Sequence, residues 1–184
     1  MSDLEKAFGL VGRFLYHFGR LEEKINQAGI KLLGLDKKAG PVVQLIPLVR
    51  RISLVKNSAC SQAKNEGEEK HAKDTCDRIA AMNDYRNIIA HSPFDASGAD
   101  VQFRKAAVSK DGQFKPIDPP WTEADFSNRY TEMTALETEL DKLIGLIAPI
   151  PIDLLNSWQE MYHRSSSAFY PGAATAARLL YRGE

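Results

Sequence analysis

Three side chains suited to acid–base chemistry on a phosphate lie close together in the sequence: Arg86, Asn87 and His91. They belong to the segment DYRNIIAHSPF, residues 84–94, in which a helical pattern is ended by Pro93. At about 100° per residue, Asn87 and His91 are about 40° apart on one helix face, and Arg86 is about 140° from His91. An imidazole can transfer protons near neutral pH, and a guanidinium can bind phosphate oxygens through two hydrogen bonds.

The end of this helix supplies two opposing electrostatic effects on His91. The helix dipole at a C-terminus favours the imidazolium, whereas the neighbouring guanidinium of Arg86 disfavours it. Such a balance suits an imidazole used in proton transfer. A structural interpretation stays open: Arg86 and Asn87 brace the helix end, and His91 hydrogen-bonds a carbonyl group.

The same segment resembles the R-X4-H motif of HEPN (higher eukaryote and prokaryote nucleotide-binding) domains. It reads Arg86-Asn87-Ile88-Ile89-Ala90-His91, with the asparagine that many members carry after the arginine, and FGRLEEKIN (18–26) resembles their Phe-x-x-Leu-Glu first helix. The resemblance covers about residues 4–148. It implies a metal-independent endoribonuclease of a toxin–antitoxin or phage-defence type. The resemblance also implies a homodimer whose two motif helices face each other across a shared cleft.

The resemblance assigns a role to each motif residue. His91 acts as general base or acid on the RNA 2′-hydroxyl or the leaving oxygen, and Arg86 stabilises charge on the phosphate. Asn87 orients His91 or binds the phosphate, and the partner chain's His91 supplies the second proton-transfer group. RNA is the expected substrate, and no cofactor or metal is expected. Pro93 replaces a family tyrosine, so a non-catalytic HEPN dimer that binds RNA, nucleotide or a protein partner such as an antitoxin is the alternative.

Four further side chains are candidates for binding or orienting the substrate: Glu22, Tyr85, Arg50 and Arg51. Glu22, or its neighbour Glu23, could orient the motif or lie on a solvated helix face. Tyr85 could contact substrate or pack in the core or an interface. The two arginines, with Lys56, could form a patch that tracks phosphates or a solvated face.

Apolar residues at three- and four-residue spacing predict the elements that position these side chains. Helices are predicted over residues 4–33, within 42–63, over about 68–91, and from Thr122 to the prolines at 149 and 151. Two extended runs, 101–108 and 113–117, flank an Asp111-Gly112 turn signal and predict a small two-stranded β flap within about 95–120. The predicted fold is therefore all-α: a HEPN-like, four-helix, up-and-down bundle with this flap between its third and fourth helices.

Charge and composition limit the class of protein. The chain of 184 residues has 24 basic and 24 acidic side chains, which argues against a general polyanion coat. Residues 36–91 hold 10 basic and 7 acidic side chains, and residues 92–148 hold 6 and 10, so nucleic-acid contacts are expected in the middle segment. We predict a domain over residues 1–148 and a partly helical or flexible extension over 149–184. The absence of an 18-residue apolar run and of a signal peptide predicts a cytoplasmic protein without a membrane partner.

Overall fold

The computed structural model describes residues 2–36, 38, 40–98, 100–105, 115–116 and 119–150. Within these residues the chain is mostly helical and carries a small antiparallel sheet. The helices are α1 (Asp3–Leu32), α2 (Gly40–Gln44), α3 (Leu48–Gln62), α4 (Glu66–His91) and α5 (Glu123–Leu146). The strands are β1 (Phe94–Ser97), β2 (Asp100–Lys105) and β3 (Lys115–Pro116). No helix in the described part of the chain is long and apolar enough to cross a membrane.

The helix boundaries follow from local capping. Ser2 and Glu5 form a capping box at the start of α1, and the Asn65 side chain accepts a hydrogen bond from the Glu68 amide at 2.9 Å at the start of α4. That cap begins α4 slightly before the predicted position. The helix predicted within 42–63 is present as α3, and Pro47, with an extended ψ of 138°, is its N-cap residue and separates it from the short α2.

Thr122 and Asp125 form a capping box at the start of α5, the helix predicted to begin at Thr122. The Asp125 amide donates to Thr122 Oγ1 at 3.1 Å, and the Thr122 amide donates to Asp125 Oδ2 at 2.9 Å. The hydrogen bonds from the Thr122 backbone and side chain lower the pKa of Asp125. Because the folded-state pKa is lowered, this contribution to stability is present above the ordinary aspartate pKa and is lost as pH falls through the lowered one.

Replacing Thr122 by alanine should lower the free energy of unfolding by about 1 kcal/mol at neutral pH, since an N-cap side chain is lost. Urea denaturation followed by circular dichroism measures the change. Thr134→Ala is the matched control, because Thr134 is exposed in the interior of α5 and bonds only the Tyr130 carbonyl of its own helix. Equal effects of the two substitutions would contradict the assigned cap.

The long helices α1, α3, α4 and α5 contribute to a single apolar core. Its largest enclosed side chains include Phe14, Phe18, Phe126, Met133 and Leu140. The predicted apolar stripe of α1 is buried from Val11 onward, but Leu4 and Phe8 are 49% and 57% exposed. These two residues therefore lie on a part of α1 that the other described elements leave largely uncovered.

The small sheet has the strand order β1-β2-β3, and both pairings are antiparallel. The predicted pairing of the two extended runs is present as β2 with β3, where Arg104 lies opposite Pro116. Strand β1 was not predicted, and it adds a second hairpin in which Phe94 lies opposite Phe103. Gly98, at a φ of +63°, follows β1 and donates its amide to Asp3 Oδ2 at 3.0 Å, which ties the hairpin to the start of α1.

The predicted boundary near residue 148 falls at the end of the described chain. Ile150 donates its amide to the Leu32 carbonyl at 2.7 Å, so this end of the described chain lies beside the end of α1. The predicted extension from residue 151 onward and the Asp111-Gly112 turn lie outside the described residues.

Candidate functional site

The motif residues occupy the last two turns of α4. Asn87 and His91 are exposed and Arg86 is half-buried. The Arg86 guanidinium donates to Asn87 Oδ1 at 3.2 Å. In the described part of the chain, no hydrogen bond joins His91 to either residue. The helix ends where the Ser92 amide donates to the Ile88 carbonyl at 2.9 Å and Pro93 prevents continuation.

The exposed end of α4 lies near the start of α3. Lys56 on α3 pairs with Asp77 on α4 at 2.6 Å, and Cys60 Sγ lies 3.8 Å from the Glu69 carbonyl, so the two helices run antiparallel. Both helices rise by about 1.5 Å per residue. At this register, Leu48 at the start of α3 lies opposite a residue of α4 that precedes Arg86. The end of α4 therefore extends beyond the start of α3.

Aromatic packing holds the end of α4 in place. The rings of Tyr85 and Trp121 meet edge to face at a centroid distance of 5.4 Å. The guanidinium of Arg129 lies over both rings, at 4.4 Å from Tyr85 and 4.0 Å from Trp121. Tyr85 thus has a packing role in this structure. Arg129 was missed by the sequence analysis, because its partners lie on other elements and no local spacing points to them.

Two of the four predicted substrate-contacting residues meet at a different place. Arg51 Nη2 donates to Glu22 Oε1 at 2.9 Å, and Arg51 Nε donates to the Ile46 carbonyl at 2.9 Å. Arg51 also donates through Nη1 to Asn26 Oδ1. The Arg51 side chain is only 5% exposed. Its guanidinium is therefore buried, and it donates hydrogen bonds to three acceptors of the protein itself.

The predicted phosphate-tracking patch of Arg50, Arg51 and Lys56 is therefore not formed as a unit. Arg51 is turned into the protein, Lys56 is paired with Asp77, and Arg50 is exposed. Hydrogen bonding to Asp77 raises the pKa of Lys56 above its ordinary value. Arg50 is the one member of the three that keeps an exposed guanidinium without an ion pair in the described structure.

The predicted contact between the first-helix carboxylates and the motif is not seen in the described residues. Glu22 bonds Arg51 instead, and Glu23 accepts from the Gln27 side chain at 3.4 Å. Around Glu22 the structure forms an open polar cavity of about 430 Å³. Its lining comprises Gly19, Glu22, Glu23, Asn26, Gln44 and Arg51.

Asn26 and Gln44 were absent from the predicted site. Asn26 follows Glu22 by four residues on the same face of α1, which is a local signal that sequence analysis could have used. Gln44 lies on α2, whose separation from α3 depends on the break at Pro47. Its place in the cavity therefore depends on tertiary structure.

No known family model matches this chain, and neither a curated protein nor a solved structure is significantly similar to it. Within the described residues, no three histidine, cysteine, aspartate or glutamate side chains are grouped so as to hold a metal ion. Burial raises the pKa of the Cys76 thiol to about 12, which leaves it protonated at neutral pH and a poor nucleophile. The functional assignment therefore depends on the chemistry of the motif.

Proposed function

We propose that the chain is a metal-independent endoribonuclease of a HEPN toxin or phage-defence type, acting in the cytoplasm. In this proposal its four long helices form an up-and-down bundle, and two copies share one cleft. The single observation that supports the proposal best is the exposed end of α4, where Arg86, Asn87 and His91 are accessible to a large substrate. A motif turned into the core could not reach RNA.

The proposed reaction uses the group that distinguishes RNA from DNA. A histidine takes the proton from the 2′-hydroxyl as the 2′-oxygen forms a bond to the adjacent phosphorus. The bond from phosphorus to the 5′-oxygen breaks, and a second acid returns a proton to that oxygen. The products are a 2′,3′-cyclic phosphate and a 5′-hydroxyl, so atoms and protons balance without an additional reactant.

Each motif residue has a part in this step. His91 supplies one of the two proton transfers. Arg86 stabilises the negative charge that develops on the phosphate oxygens, and its bond to Asn87 limits the positions the guanidinium can occupy. One copy offers a single imidazole at the described motif. The His91 of a second copy provides the other proton-transfer group, which is the reason for the shared cleft.

A non-catalytic HEPN dimer that binds RNA, nucleotide or a protein partner is the second candidate. Pro93 favours it, since this residue stands where many active HEPN members carry a tyrosine. Phe94, which follows, has no hydroxyl and packs against the Phe8 ring at a centroid distance of 5.4 Å. It therefore cannot replace the function of that tyrosine.

Incubation of the purified chain with single-stranded RNA in excess EDTA tests the first candidate. Fragments ending in cyclic phosphate are the expected result. Intact RNA across a panel of substrates would instead favour the binding module. Light scattering at micromolar concentration should give the mass of a dimer, and a monomer mass would contradict the shared cleft.

A further inference from the structure

The open polar cavity between α1, α2 and α3 is not used by the proposed cleavage step. We propose that it binds the base of a guanine nucleotide. Two of its wall residues, Asn26 and Arg51, are each only 4% exposed, so the wall is held by the fold. Buried polar side chains of this kind keep a fixed pattern of hydrogen-bond donors and acceptors.

Arg51 fixes the orientation of both neighbouring side chains. A guanidinium has donors only, so the Asn26 atom that faces it is the amide oxygen, and the carboxylate of Glu22 faces it through Oε1. The Asn26 amide nitrogen is then left as a donor, and Glu22 Oε2 is left as an acceptor. Neither atom has a protein partner in the described structure, and both residues line the cavity.

This wall pattern matches one edge of guanine. Along its Watson–Crick edge guanine presents the acceptor O6 and then the donors N1–H and N2–H. The Asn26 nitrogen can donate to O6, while the carboxylate of Glu22, with spare lone pairs on both oxygens, can accept the two N–H groups. Uracil places a second acceptor at the end of its edge, and adenine and cytosine place an amine where O6 stands.

The charge of the cavity favours a base over a phosphate. Glu22 and Glu23 provide two carboxylates against the single guanidinium of Arg51. The surplus negative charge repels a phosphate group and attracts polarised N–H groups. The volume of about 430 Å³ leaves room for a purine base at the open mouth.

The cavity also lies on the same face of α1 as the exposed apolar residues Phe8 and Leu15. Phe8, Leu15, Glu22 and Asn26 follow each other at spacings of seven, seven and four residues. Phe8 contacts Phe94, and the 14 residues from Phe8 to Glu22 span about 21 Å of helix. That this cavity recognises a base a few nucleotides from the cleaved bond rests on the proposed function. Guanine binding by the cavity does not depend on it.

Isothermal titration of the full chain with GMP, AMP, CMP and UMP tests the proposal directly. GMP should bind at least tenfold more tightly than each of the other three. Comparable affinities, or no GMP binding at millimolar concentration, would overturn it. This comparison uses the unmodified chain and does not depend on how any variant folds.

Two substitutions test the assigned atoms. Asn26→Asp keeps an oxygen for Arg51 but removes the donor to O6, and Glu22→Gln removes a charge and one acceptor. Each should weaken GMP binding at least tenfold, while Glu69→Gln, on the exposed face of α4, should leave it unchanged. Unaltered GMP binding in Asn26→Asp, with its fold verified by thermal unfolding, would contradict the assignment.

The outcomes separate the cavity from the cleavage site. His91→Ala should bind GMP like the unmodified chain. Selective GMP binding by a chain that leaves RNA intact would overturn the proposed nuclease and retain the guanine site. RNA cleavage without selective GMP binding would overturn the guanine site alone.

Discussion

His91→Ala should lower the rate of RNA cleavage by at least about 100-fold, because a positioned general acid or base contributes about 10²–10⁴-fold. The side chain is exposed at the end of α4, so its removal leaves no cavity in the core. The free energy of unfolding should therefore change by no more than about 0.5 kcal/mol. Initial cleavage rates in EDTA, measured beside a urea denaturation curve, separate the two effects.

His71→Ala is the matched control for this substitution. His71 lies on the same helix, away from the motif, and removing it takes away the same ring. It should retain the activity of the unmodified chain. Undiminished cleavage by His91→Ala, or an equal loss in both variants, would show that His91 does not transfer a proton in the reaction.

The long helices could be predicted from the sequence because their evidence is local. Helix α1 was predicted over 4–33 and spans Asp3–Leu32, because the apolar spacing that predicts it lies within the helix itself. Strand β1 was missed because Phe94–Ser97 is only four residues long and is stabilised by pairing with β2. Without its partner strand, so short a segment has no alternation of apolar and polar residues long enough to predict a strand.

Only those features of the site that depend on residues close together in the sequence could be predicted. The motif residues share two turns of one helix, so their proximity follows from helix geometry. Their exposure depends on how the other elements pack around the end of α4, and no local pattern in the sequence gives that packing. Glu22 and Arg51 were both identified as candidates, but their contact across 29 residues depends on the packing of α3 against α1.

Arg51→Met should lower the free energy of unfolding by about 3 kcal/mol, because removing one partner of a buried ion pair leaves other buried groups unsatisfied. Asn26 Oδ1 and the Ile46 carbonyl lose their donor, and Glu22 loses its counter-charge. Glu22 is about one-third exposed, so water can partly replace that interaction and the expected loss lies at the lower end for buried pairs. Urea denaturation measures the change.

Arg50→Met is the control, since it makes the same chemical change at the preceding, exposed position of α3. Its stability should stay within about 0.5 kcal/mol of the unmodified chain. If Arg50 contacts a phosphate, its loss should instead lower the number of counterions released on RNA binding by about one. This number is read from the slope of the logarithm of the binding constant against the logarithm of the salt concentration. Arg51→Met, studied well below its unfolding temperature, should leave that salt dependence unchanged. The opposite pattern, a stable Arg51→Met with weaker salt dependence, would mean that Arg51 leaves its buried partners to bind RNA.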